Sequence, residues 1–138
     1  MSNVSIRCIR SAFIYLGIGI GLGVLFAFDR PTGGLLRPVH AEANLWGFVT
    51  LLIYGMAYHM VPRFMGRPLP APQLSEWQSW LAIGGIGSTI VGWVALIYGW
   101  PAARLLLLLG GTMQVLAVLL FGGLVLATIY PGLRRTNP

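Results

Sequence analysis

Imidazole is the most versatile chemical group this chain carries, and both of its imidazoles fall in one stretch. His40 and His59 lie within LRPVHAEANLWGFVTLLIYGMAYHMVPRF, together with Glu42, Asn44, Thr50, Tyr54 and Tyr58. A neutral imidazole ligates iron and other transition metals or moves a proton. The chain has 138 residues with two histidines, three acidic residues and one cysteine, so few other groups compete for that role. The stretch is otherwise apolar and long enough to cross a bilayer. Polar groups in such a setting face a bundle interior, a cavity or a ligand.

Angular arithmetic sharpens this. At about 100° per residue, His40, Asn44, Gly47, Leu51, Tyr54, Gly55 and Tyr58 share one helix face. That face joins an imidazole, small residues that open space, and aromatic walls. A planar macrocycle fits there, with the imidazole on its iron. Met56 and Glu42 point elsewhere. His59 is rotated by about 100° from His40 and lies about 28 Å further along the axis, so the two cannot bind one ion. Plainer readings stand beside this. Each histidine can sit at a membrane interface and bond water or a neighbour. Glu42 can be solvated at the outer rim or shuttle protons. Asn44 can simply bond an adjacent helix.

The elements that hold this stretch are membrane helices. Hydrophobic residues make up 57%, charged residues only 9%, and mean hydropathy is +0.79. Soluble domains carry about 25% charged residues. A spanning helix needs about 20 mostly apolar residues. Four stretches qualify: 10–28, 40–63, 77–99 and 103–130. Pro31, Gly33 and Gly34 separate the first two. Pro68, Pro70 and Pro72 punctuate the second loop. Gly99-Trp100-Pro101 makes the third connection tight, and Pro131-Gly132 ends the fourth. The first stretch is expected to be a retained helix, because Phe28-Asp29-Arg30-Pro31 follows it instead of a small-residue cleavage site.

Short connections predict an all-α membrane protein with a four-transmembrane-helix up-down bundle in a single domain over residues 1–138. Its spans predict a multi-pass protein of the bacterial inner (cytoplasmic) membrane, with the lipid bilayer as its first partner. Arg7, Arg10, Arg63, Arg67, Arg134 and Arg135 would lie inside, and Arg30, Arg37 and Arg104 outside, which predicts both termini in the cytoplasm. All nine basic residues are Arg, set beside apolar runs without forming a stripe, which argues against nucleic-acid binding. Trp46, Trp77, Trp80, Trp93 and Trp100 mostly sit near helix ends, as an aromatic belt does. Gly17, Gly19, Gly21 and Gly23, the series Gly84, Ser88 and Gly92, and the pairs Gly110-Gly111 and Gly122-Gly123 predict close helix contacts, within or between chains. Cys8 has no internal disulfide partner and reads as an inert thiol near the membrane surface, with acylation the alternative.

Leu36-Arg37-Pro38-Val39-His40 resembles the start of the second helix in the catalytic subunit of cbb-type heme–copper oxidases. There a Leu-Arg-Pro-Leu-His stretch supplies an axial histidine to a low-spin heme b. The continuation HAEANLWGF…IYGMAYHMVPRFMGRPL is similar to short membrane proteins related to oxidase subunit I, and nitric-oxide-response membrane proteins carry a related helix. The resemblance covers residues 36–69. It implies that His40 is a heme b axial ligand, that Arg37 sits near the propionates, and that His59 is a second ligand. Where the short proteins carry a second histidine, this chain has Glu42.

The implied protein is a small membrane-bound, cytochrome b-like heme b protein for electron transfer or for binding a diatomic gas such as nitric oxide or oxygen. His40, Arg37, Asn44, Gly47, Tyr54, Tyr58 and His59 are its candidate cofactor residues, and His40 and His59 its candidate metal ligands. The resemblance implies no complete oxidase, since a full oxidase has six metal-binding histidines and this chain has two histidines. A sixth ligand would come from a homo-oligomer, from Met113 or from an exogenous molecule, and a redox partner would follow. The alternative is a cofactor-free structural or assembly subunit that associates with a respiratory complex.

Overall fold

A computed structural model describes residues 2–130, apart from the side chains of Arg30 and Thr32. All regular structure among the described residues is helical. The chain runs α1 (Asn3–Phe28), α2 (Arg30–Leu35), α3 (Arg37–Ala41), a π-helix (Glu42–Thr50), α4 (Leu51–Phe64), α5 (Pro72–Ile97) and α6 (Ala103–Ile129). Segments α3, π and α4 are continuous. Four helices are long and apolar enough to cross a membrane, at Asn3–Phe28, Arg37–Phe64, Pro72–Ile97 and Ala103–Ile129. The second is the least apolar of them.

Helix α1 starts at Asn3, ahead of the apolar run, because its early charge has a partner. Ser2 caps it, its hydroxyl accepting from the Ser5 amide at 3.2 Å. Arg7 pairs with Glu76 on α5, donates to Ser79 Oγ at 3.1 Å and lies 4.6 Å over the Trp80 ring. Helix α5 likewise begins earlier, at Pro72, where a missing N–H costs nothing. Glu76 and its bonded neighbours carry the helix through a segment that hydropathy alone places outside the span. Both tight exits use a left-handed glycine. Gly66 has φ 61 and Gly99 has φ 70. The amides of Arg67 and Trp100 bond back to the Pro62 and Ala95 carbonyls, closing Schellman turns.

The bundle consists of two antiparallel hairpins. One joins α1 to the second span, the other joins α5 to α6, and they pack side by side. Glycines set the spacing in each. A Cβ on Gly110 would fall 2.3 Å from Thr89 Oγ1 and 2.7 Å from the Gly85 carbonyl. One on Gly55 would fall 2.7 Å from Ile9 and 3.0 Å from the Ser5 carbonyl. Between the hairpins lies a core of Cys8, Ala12, Leu51, Tyr54, Tyr58, Ala82, Ile86, Ala117 and Leu124. Cys8 is fully buried, so its thiol is out of reach of acylation. Outside, Phe13, Ile14, Ile20, Leu108 and Leu119 are exposed, as lipid-facing residues should be.

Candidate functional site: the seam around His40

The first loop re-enters the bundle through α2 and α3. Pro38 occupies the first turn of α3, and His40 follows within that turn, with its amide bonded to the Leu36 carbonyl at 3.0 Å. The imidazole turns toward α1, where two glycines leave room. A Cβ on Gly23 would touch His40 Cε1 at 3.4 Å. Phe26 sets its ring 5.2 Å from the imidazole, centroid to centroid, with a 55° tilt. His40 is half-buried there.

Its hydrogen bonding fixes its chemistry. His40 Nδ1 lies 2.9 Å from the Gly19 carbonyl oxygen. A carbonyl can only accept, so Nδ1 carries a proton, and in the neutral ring Nε2 keeps its lone pair. Asn44 donates to the His40 carbonyl at 2.9 Å. Its amide nitrogen is 3.5 Å from Nε2, too far to claim that lone pair. An imidazole whose Nδ1–H is held by a backbone carbonyl is the usual arrangement of a metal ligand oriented from behind.

The turns after His40 form a π-helix, which carries one more residue per hydrogen-bonded turn than an α-helix. Thr50 reinforces it, its hydroxyl donating to the Leu45 carbonyl at 2.9 Å. The wider winding breaks the single α-helical wheel used to read this span. Glu42 is not at a solvated rim. Its carboxylate accepts a hydrogen bond from Gln114 on α6. The same Gln114 amide donates to Thr89 Oγ1 at 3.0 Å, and Thr89 donates to the Gly85 carbonyl at 2.9 Å. Glu42, Gln114 and Thr89 thus tie the second span to α6 and α5. Sequence reading passed over Gln114, Thr89 and Gln78. The signal was there: an amide inside an apolar span needs a partner.

The other candidates separate into two groups. His40, Asn44 and Gly19 meet in one seam, and Arg37 is exposed at the start of α3. Gly47, Tyr54 and Tyr58 face inward on packing duty. A Cβ on Gly47 would clash with Tyr15 at 2.5 Å. Tyr54 packs tilted against Phe121 of α6 and Tyr58 meets it edge-on, at 4.3 and 5.5 Å between ring centroids. Tyr58 also donates to Gln78 Oε1 at 2.9 Å. The gaps expected to admit a macrocycle along this face are filled by side chains from α1 and α6. His59 lies at the opposite end of the span, half-buried, with no hydrogen bond to the described residues. Met113 packs against Gly84 and Gly85, in the α5–α6 seam. Among the described residues, no three His, Cys, Asp or Glu side chains gather as a metal site.

Four apolar helices with an anchored histidine at the head of the second define a multi-pass membrane protein of the heme–copper oxidase-like class. The model of the family of cytochrome c and quinol oxidase polypeptide I matches residues 3–137, nearly the whole chain, and the chain belongs to that family. No curated protein and no solved structure matches it.

Proposed function

We propose that the chain is a small membrane heme b protein in which His40 supplies one axial ligand. The observation that carries this reading is the bond from Nδ1 to the Gly19 carbonyl, which leaves Nε2 as a free donor on an oriented ring. Family membership supports it, since proteins of this family generally bind hemes. Bound heme would supply one-electron redox chemistry or a site for a diatomic gas.

The chain's own residues then divide the work. Gly19 holds the imidazole from behind, and Asn44 ties the His40 backbone carbonyl. Gly23 and Phe26 set its tilt. Arg37, exposed three residues before His40, is placed to pair with a propionate carboxylate. Gly47, Tyr54 and Tyr58 keep the second span seated on α1 and α6. Because those inner gaps are filled, His40 and Arg37, more than Gly47, Tyr54 and Tyr58, are the residues that would hold a heme. A further ligand would come from a second copy of the chain or from another protein, as symmetric oligomers allow. The arginine bias supports a position for His40 on the outer side of a bacterial inner membrane.

Absorption spectra of detergent-purified protein, made with ample heme, test this. Oxidised and reduced forms should show a Soret band and b-type bands, and added carbon monoxide reports an open coordination position. A colourless preparation overturns the reading and leaves the cofactor-free assembly role.

A further inference from the structure

We propose that Met56, His59 and Met60 bind one Cu(I) ion on the outward face of α4, at the end of the span opposite His40. All three lie inside a continuous α-helix, Leu51–Phe64. Their spacing is i, i+3 and i+4, which places the side chains on one face with Cβ atoms about 5–6 Å apart between turns. Met56 is 46% exposed and Met60 37%. Ile53 and Phe64 are exposed on either side along the helix, so this part of the span faces away from the bundle.

His59 is the centre of this face. Its imidazole stands partly exposed near the end of the span, with no hydrogen bond to the described residues, so its ring nitrogens are open to a guest. Its two exposed neighbours on the same face are both thioethers. Methionine is long and unbranched, so both sulfurs can swing toward the imidazole. Two thioethers and one imidazole form a soft, neutral donor set, which selects Cu(I) over the hard cations Mg(II) and Ca(II). Arg63 lies one turn beyond His59 and is exposed. Its positive charge disfavours a divalent guest more than a monovalent one.

The test is anaerobic titration of the purified full-length protein with Cu(I) against a chromogenic Cu(I) chelator, with X-ray absorption on the loaded sample. The expected result is one Cu(I) per chain, with sulfur and nitrogen scatterers around it. Met56→Leu/Met60→Leu should weaken binding by about tenfold or more, a loss of about 1.4 kcal/mol. His59→Gln should weaken it similarly. Leucine preserves the apolar outward surface, so folding is retained. Heme content should match wild type in these variants, which separates this site from the one at His40. Cys8→Ala should bind Cu(I) as wild type does. Wild-type affinity in the methionine and histidine variants, a spectrum without sulfur, tighter binding of Zn(II), or loss of binding in Cys8→Ala would overturn the proposal.

Discussion

His40 and His59 share one membrane span and differ in everything that surrounds them. His40 turns into the seam with α1, where Gly19 and Gly23 admit it and a backbone carbonyl holds its Nδ1 at 2.9 Å. His59 stands outside the seam on a standard α-helical stretch, with exposed methionines beside it. The difference shows that the facing helix assigns the role. Opposite His40, α1 presents glycines and the Gly19 carbonyl oxygen. At the level of His59, α1 spends its contacts on Gly55 instead, through Ile9, Ser5 and Cys8. One ring is held from behind by a backbone carbonyl. The other has no hydrogen bond to the described residues and stands beside two thioethers.

The comparison can be broken most forcefully at Gly19. A Cβ there would sit 2.4 Å from the Asn44 amide, so Gly19→Val must displace Asn44 and draw His40 off its carbonyl. The expected cost is about 2–3 kcal/mol of stability, together with loss of most bound heme, read by thermal unfolding and pyridine hemochrome. Cu(I) binding at the other end should persist in the fraction that folds.

A smaller effect is expected at Gln114. Gln114→Leu strands the Glu42 carboxylate inside the bundle and should cost about 2 kcal/mol. Adding Glu42→Leu should recover part of that loss, because removing both partners is cheaper than orphaning one. A double-mutant cycle on unfolding in detergent measures the coupling.

Arg7 sharpens the comparison from the His59 end. Arg7→Ala removes the pair with Glu76, the Ser79 bond and the stack on Trp80. The Glu76 side chain is 44% exposed and solvent screens the pair, so the expected cost is only about 1 kcal/mol. Its heme spectrum should be unchanged. The smallest effect belongs to Gly21, a near neighbour of Gly19 on α1 whose added Cβ would meet nothing within 4 Å. Gly21→Ala should stay within about 0.5 kcal/mol of wild type in melting experiments.

Much of this architecture can be read from hydropathy. Four apolar runs and three Pro- or Gly-marked connections already imply the bundle, and the inward face from Leu51 to Tyr58 follows from helical periodicity. Helix starts escape that reading, because Arg7 and Glu76 look like interface charges until each is seen to be the other's partner. The π-helix escapes it too. Nothing in EANLWGFVT separates a wide turn from an ordinary one, and Thr50 reaches the Leu45 carbonyl only once the backbone has widened. That widening also hid the link from Glu42 to Gln114. The seam around His40 was half legible. Its histidine, asparagine and glycines were in view, while their division of labour depended on which helix lay opposite. Gly47 looked like space for a ligand and is space for Tyr15.

The most direct measurement compares heme per chain in purified wild type, His40→Ala and His59→Ala, each produced with surplus heme. Wild type and His59→Ala should carry the same b-type spectrum and stoichiometry, while His40→Ala should lose it. Full heme in His40→Ala, or a loss confined to His59→Ala, would contradict the assignment of iron to the imidazole held by Gly19.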